Sequence, residues 1–110
     1  MIGLFDIHGR ASEELVRQAG YYAERGGAHL ARRFLDEAEH AGRRMLEGPH
    51  SFAKWGPAAL GVRRVLFKRF PFALVYVIDP PDPPGRPYVV AVAHGKRRPL
   101  YWVRRLREKR

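Results

Sequence analysis

The sequence contains no cysteine. Disulfide bonds, thiolate nucleophiles and zinc sites built on cysteine are therefore excluded. No apolar run approaches the roughly 18 residues that a membrane-spanning helix needs. The first ten residues include Asp6, His8 and Arg10 and hold no apolar stretch typical of a signal peptide, so we expect a soluble cytoplasmic protein.

Acidic residues are scarce in one part of the chain. Residues 1–62 hold eight basic and eight acidic side chains, whereas residues 63–110 hold thirteen basic and three acidic ones. The whole net charge of +10 therefore lies in the second part. This asymmetry favours a polyanionic partner such as nucleic acid, a ribosome or an acidic protein segment. The alternative is a basic face that only keeps the protein soluble.

The length of 110 residues, 45% of them apolar, predicts one folded domain over residues 1–110. The first part of the chain predicts a strand over Met1–Ile7 and then two helices. Ser12 is expected to cap the first helix, and Gly26-Gly27 to end it. The second helix covers about 28–47 and stops at Gly48-Pro49. Each helix has one apolar stripe, so the pair predicts an antiparallel hairpin.

The second part of the chain changes to the period of β-strands after a loop over 49–61. The predicted strands are Val62–Arg69, Phe72–Ile78 and Tyr88–Ala93. Between the last two, Asp79–Pro87 has five prolines in nine residues and predicts a stiff hairpin loop. A short helix is expected over Leu100–Arg107, after Pro99.

These elements predict an α+β fold of order β-α-α-β-β-β. The helix hairpin is expected to cover one face of a small, mainly antiparallel sheet, with a short helical tail at the C-terminus. In the tail, Trp102 and Leu106 are four residues apart and would share the inner face. The arginines of the tail would then project to solvent.

Several short motifs occur in an order that resembles the RelE/ParE toxin superfamily of bacterial type II toxin–antitoxin systems, from about residue 7 to 106. They are Ala11-x-x-Glu14-Leu15, Tyr21-Tyr22, Arg33-Phe34-Leu35-Asp36-Glu37, Gly61-Val62-Arg63-Arg64, Phe70-Pro71-Phe72-Ala73-Leu74-Val75-Tyr76, and Ala91-Val92-Ala93-His94-Gly95-Lys96-Arg97-Arg98-Pro99 followed by Tyr101-Trp102. The loop 79–87 is longer than the tight turn expected there. The resemblance implies a growth-inhibiting toxin that a cognate antitoxin neutralises, a role linked to plasmid stabilisation.

The superfamily divides by target. RelE-like members cut mRNA in the ribosomal A site, whereas ParE-like members poison DNA gyrase. Cleavage without a metal needs a base, a cation for the phosphate and an acid. In the resemblance, Arg64 and Leu66 align with two sheet lysines of the nucleases, and Ala73 with an arginine.

The remaining nuclease-type candidates are His94, Arg97, which aligns with a C-terminal arginine, and Tyr101, near the terminal tyrosine. A cation missing at Ala73 would cost about 2.7–4 kcal/mol of phosphate stabilisation. We therefore favour a ParE-like protein that is not an enzyme, with a metal-independent endoribonuclease as the alternative. A non-catalytic nucleic-acid-binding module explains the charge but not the motifs.

The densest basic runs lie on either side of Tyr101 and Trp102, and they are the predicted target-binding surface. Its members are Lys96, Arg97, Arg98, Tyr101, Arg104 and Arg105. His94 has a second interpretation, as a strand-end histidine bonded to a backbone carbonyl. Phe52 and Trp55 cover a sheet edge or contact a partner, and exposed Tyr21 is a candidate partner contact. The five histidines show no metal-ligand spacing, and no cofactor is expected.

Overall fold

A computed structural model of the protein describes residues 5–98 and 100–108. Its elements are β1 (Asp6–Ile7), α1 (Gly9–Glu47), β2 (Arg63–Leu66), β3 (Phe72–Asp79) and β4 (Arg86–His94), with 3-10 turns over Ala58–Leu60 and Val103–Leu106. The strand order is β1-β4-β3-β2. β2, β3 and β4 are antiparallel neighbours, and β1 runs parallel to β4. The predicted α+β class is confirmed.

The helical segment α1 folds back on itself at Gly26 and Gly27. Gly27 has a φ of 78°, a left-handed conformation that favours glycine. A straight helix of 39 residues would be about 58 Å long, but the longest dimension of the molecule is 42 Å. The rings of Tyr22 and Phe34 are only 5.2 Å apart. Residues 9–25 (the first arm) and 28–47 (the second arm) therefore form the predicted hairpin.

The start of the first arm differs from the prediction. His8, not Ser12, is the cap, and its Nδ1 accepts the backbone N–H of Arg10 at 3.0 Å. Ser12 instead donates its own N–H to the His8 carbonyl inside the first turn. Histidine is not among the preferred capping residues, so sequence reasoning passed over it. The predicted end at Gly48 is confirmed, since its N–H bonds to the Arg44 carbonyl at 3.2 Å.

The strands are where they were predicted, with different ends. β2 is shorter than 62–69, while β3 and β4 each extend into the proline-rich segment and reduce its loop to residues 80–85. The part of the first predicted strand before Phe5 lies outside the described residues, as does Pro99. The short helix predicted over Leu100–Arg107 is present only as the 3-10 turn over Val103–Leu106, and it is not an α-helix. Leu100 has a φ of 80°, which no α-helix contains, and only a 3-10 turn follows.

The sheet has apolar side chains on both faces. On the helix face, the arms pack against alternate strand residues. That cluster includes Phe34, Ala38, Met45, Val65, Phe67, Phe72, Leu74, Tyr76, Val89 and Val92. The opposite face is called the tail face, because the C-terminal tail packs on it. There, Trp102 packs against Val62, Val75, Val77, Val90, Ala91 and Ala93. A register shift between Val75 and Tyr76 leaves an extra residue on β4, so Val90 and Ala91 both contribute to the tail face.

Candidate target-binding surface

The C-terminal tail, residues 96–108, places most of its predicted target-binding cations in solvent. Lys96, Arg97, Arg98 and Arg104 are exposed. Arg105 is only 9% exposed, so the expectation that it projects to solvent is wrong. The reason is the 3-10 geometry, which has three residues per turn and so places Arg105 on the same side as Trp102, next to the partly buried Leu106.

Arg105 forms a two-pronged ion pair with Glu14 of the first arm. Its Nη1 and Nη2 lie 3.1 and 3.0 Å from the Oε1 and Oε2 of Glu14. Nη1 also donates to the Val90 carbonyl at 3.0 Å, and Glu14 Oε1 accepts the Val92 N–H at 2.9 Å. The two side chains are 11% and 12% exposed. The Arg105 charge is thus neutralised inside the protein.

Tyr101 lies between this ion pair and an exposed arginine. The guanidinium carbon of Arg97 is 3.8 Å from the ring centroid, and that of Arg105 is 5.2 Å away. Burial, reinforced by the negative charge of Glu14, raises the pKa of the Tyr101 hydroxyl well above its ordinary value. The phenol therefore keeps its proton at neutral pH and cannot act there as a base. Its ring can serve as a platform that orients Arg97.

A depression of about 330 Å³ lies where the tail meets the start of the first arm. It is lined by Arg10, Leu100, Tyr101, Val103, Arg104, Arg105 and Glu108. The one carboxylate among them, Glu108, lies 3.3 Å from His8 Nε2. The exposed guanidinium groups of Arg10 and Arg104 thus border a site of mainly positive charge. A larger depression of about 570 Å³ near β1 is bordered by none of the predicted site residues.

The nuclease-type candidates are not brought together as one site. Arg64 pairs with Val75 in the register of β2 and β3, and its guanidinium lies 4.7 Å from the Trp55 ring on the tail face. His94 pairs with Phe72 and contacts its ring at 5.1 Å, on the helix face. Because cross-strand partners project from the same face, Arg64 and His94 point to opposite sides of the sheet.

His94 makes a backbone hydrogen bond at the end of β4. Its Nδ1 accepts the backbone N–H of Lys96 at 3.0 Å, so its described backbone partner is a donor and not the carbonyl that was expected. A neutral ring in this position carries its proton on Nε2. The bond orders the residue at the end of β4 and brings no second titratable group to the ring.

Two of the positions that align with nuclease cations hold apolar residues. Ala73 is 2% exposed in the middle of the sheet, and its partner Leu66 is 57% exposed at the outer strand. Of the four nuclease-type candidates, only Arg97 and Tyr101 are in contact. Within the described residues, no group of three His, Asp or Glu side chains could hold a metal ion.

Aromatic residues whose roles were left open also have definite places. Trp55 packs against Trp102, with ring centroids 5.9 Å apart, and Phe52 packs against the helix-face cluster. Tyr21 is 43% exposed, with the Arg25 guanidinium 4.6 Å from its ring. Trp55 and Phe52 thus close the two faces of the sheet, whereas Tyr21 remains a candidate contact.

Sequence reasoning missed Glu14 and Arg10 as parts of this surface. Glu14 was named within the motif Ala11-x-x-Glu14-Leu15 and was not assigned to the target-binding surface. A signal was present, because Glu14 is three residues after Ala11 and next to Leu15, both buried. A carboxylate on a buried stripe requires a cationic partner. Arg10 carried no comparable signal.

Comparison with known proteins adds the family. No helix among residues 5–98 and 100–108 is both long and apolar enough to cross a membrane. No curated protein matches the sequence. A family profile described as the ParE toxin of the type II toxin–antitoxin system parDE matches residues 5–99. That match covers most of the chain and includes every strand and both helical arms, and the chain therefore belongs to the ParE toxin family of type II toxin–antitoxin systems.

Proposed function

We propose that this toxin inhibits bacterial growth by poisoning DNA gyrase when it is free of its antitoxin. The observation that supports the proposal is that the nuclease-type candidates on the sheet lie on opposite faces of it, whereas the cations of the tail are clustered in one segment and exposed. Arg64 and His94 face opposite sides of the sheet, whereas Lys96, Arg97, Arg98 and Arg104 are exposed on one short segment. Such an arrangement suits electrostatic binding to a large anionic target better than catalysis.

Purified gyrase provides the direct test. We expect the toxin to inhibit supercoiling of relaxed plasmid and to increase the amount of cleaved DNA trapped on the enzyme. The Arg97→Ala/Arg98→Ala variant should lose both effects. Normal supercoiling at toxin concentrations that arrest growth would contradict gyrase as the target. Because gyrase acts in the cytoplasm of bacteria, the proposal implies a cytoplasmic protein.

The partner that neutralises the toxin is proposed to be a co-encoded antitoxin with a flexible amphipathic segment. The basic tail and the apolar sheet edge offer complementary surfaces to such a segment. We expect nanomolar or tighter affinity, equivalent to about 12 kcal/mol. Co-expression and copurification at moderate salt would test this. Two folded proteins that separate under those conditions would contradict it.

A second candidate function is ribosome-dependent mRNA cleavage. It is favoured by one observation, the contact of Arg97 with the Tyr101 ring, since both residues are nuclease-type candidates. We nevertheless expect no cleavage in a translating extract, because Ala73 and Leu66 supply no cation on the sheet. Toe-printing that shows cuts in the A site, abolished by Arg97→Ala, would establish this alternative. Binding to naked nucleic acid without growth inhibition would instead indicate a non-catalytic binding module.

A further inference from the structure

The edge of β4 is only partly covered by a neighbouring strand. β1 pairs with Tyr88 and Val89 and then ends, and the His8 N–H donates to the Val89 carbonyl at 2.8 Å. Beyond this point no strand lies on that side within the described residues. The Val92 N–H, which bonds to Glu14 in the first arm, lies on this edge. Such an edge exposes backbone donors and acceptors to solvent or to other chains.

Glu14 and Arg105 together make the bonds that a further strand residue would make. Arg105 donates to the Val90 carbonyl, and Glu14 accepts the Val92 N–H. The register shift leaves Val90 as an extra residue on β4. This extra residue sets the distance along the edge between the Val90 carbonyl and the Val92 N–H. The planar fork of the guanidinium places donors on both carboxylate oxygens and on the carbonyl at once. The ammonium of a lysine also has three donors, but they radiate from one nitrogen and cannot form two parallel bonds to a carboxylate.

The same four hydrogen bonds connect three separate parts of the chain. Glu14 belongs to the first arm, Val90 and Val92 to β4, and Arg105 to the tail. Among the described residues of the tail, the only regular element is one 3-10 turn of four residues. Its position on the sheet therefore depends on Trp102, which is fully buried, and on the ion pair.

Tyr101 and Arg104 flank these two anchors in sequence. Tyr101 stands next to Trp102, and its ring lies near both Arg105 and the exposed Arg97. Arg104 is exposed beside Arg105, on the other side of the turn. A shift of the Arg105 anchor would consequently move the ring on which Arg97 stacks and the guanidinium of Arg104.

We propose that Glu14 and Arg105 are positioning residues of the toxin: they close the open edge of β4 and hold the tail so that Arg97, Tyr101 and Arg104 face the target. Arg105 itself makes no target contact, although it is one of the predicted target-binding residues. The inference rests on the proposed function only in that the tail is the inhibitory surface. It does not depend on which molecule the tail binds.

Two variants act on the pair from its two sides. Arg105→Lys keeps the charge but removes the fork of donors, and Glu14→Gln removes the carboxylate from a helix that does not carry the target-binding residues. The matched control is Arg104→Lys, the same change at the neighbouring exposed position. Amide exchange at Val92, measured by NMR, reports the edge of β4, and the toxin expression needed to arrest growth reports function.

Each of the two variants should speed exchange of the Val92 amide about ten-fold and raise the expression needed for growth arrest about ten-fold, while the remaining β3–β4 amides stay protected. Arg104→Lys should leave the Val92 exchange unchanged. Should Arg105→Lys fail to fold, Glu14→Gln decides the question, because the Glu14 side chain is only 12% exposed and pairs with Arg105. Full growth inhibition by Glu14→Gln, or loss of inhibition with Val92 exchange unchanged, would overturn the inference.

A toxin that arrests growth without acting on gyrase would refute the gyrase proposal and leave this inference standing.

Discussion

The two faces of the sheet are closed in different ways. On the helix face, Phe34 is fully buried and its ring lies 5.2–5.6 Å from those of Tyr22, Phe67, Phe70 and Phe72. On the tail face, one indole and one ion pair hold a short segment that carries several exposed cations. The helix face therefore provides stability through apolar contact. The tail face provides a charged surface, and an ion pair whose side chains are 11% and 12% exposed helps to hold that surface in place.

The largest expected effect on stability belongs to the helix face. Phe34→Ala would leave a cavity among four aromatic rings, and we expect the free energy of unfolding to fall by about 3–5 kcal/mol. Urea denaturation of the purified variant would measure this loss. A loss below about 1.5 kcal/mol would mean that the rings repack and that the helix face is not the more tightly built of the two.

A smaller loss is expected at the ion pair of the tail face. Arg105→Met leaves the Glu14 carboxylate without its cation, and because both side chains retain some exposure we expect a loss of about 2–3 kcal/mol. The double variant Glu14→Leu/Arg105→Met should lose less than the sum of the single changes. Additive losses in urea denaturation would contradict a direct coupling between the two residues. Arg104→Met is the control and should change stability by no more than about 0.5 kcal/mol.

Tyr76 offers a pH test confined to the helix face. It is fully buried, its hydroxyl donates to the Pro49 carbonyl at 2.6 Å, and burial raises the pKa of Tyr76 to about 12. The folded state thus favours the protonated phenol, whose ordinary pKa is about 10. Its contribution is complete below pH 10 and is lost as the pH rises from about 10 to 12.

Lysine side chains also lose their protons in this pH range. The Tyr76→Phe variant shares that lysine titration, so its difference from the wild type reports the Tyr76 contribution alone. We expect the stability of the wild type to fall more steeply between pH 10 and about 12 than that of the variant. Parallel curves in denaturation experiments at several pH values would contradict a buried phenol at this position.

The helix face could be predicted from the sequence because its signals are local. The stripe that includes Phe34 and Met45 repeats with the period of a helix, and Val65 in β2 and Phe67 just after it are separated by one residue, the period of a strand. Gly26-Gly27 marked the reversal between the arms. These patterns depend only on residues near one another in the chain, so the α+β class and the order of elements were predicted correctly.

The tail face could not be predicted to the same extent because its decisive contact is long-range. Glu14 and Arg105 are separated by 91 residues, and no spacing rule connects them. The tail also adopts 3-10 rather than α geometry, so Arg105 is buried together with Trp102, while Leu106 packs partly buried against the Trp102 cluster. The exposed cations were recognised from composition, whereas the distinction between Arg104 and Arg105 required the fold.

The central claim is that the exposed cations of the tail carry growth inhibition without supporting the fold. The most direct measurement is expression of Arg97→Ala/Arg98→Ala without antitoxin, together with thermal melting of the purified variant. A matched control is Arg32→Ala/Arg33→Ala, since these two adjacent arginines are also exposed but lie on the second arm. We predict that the tail variant no longer arrests growth while its stability changes by no more than about 1 kcal/mol, and that the control remains toxic. A tail variant of unchanged stability that still arrests growth at wild-type expression would contradict the account.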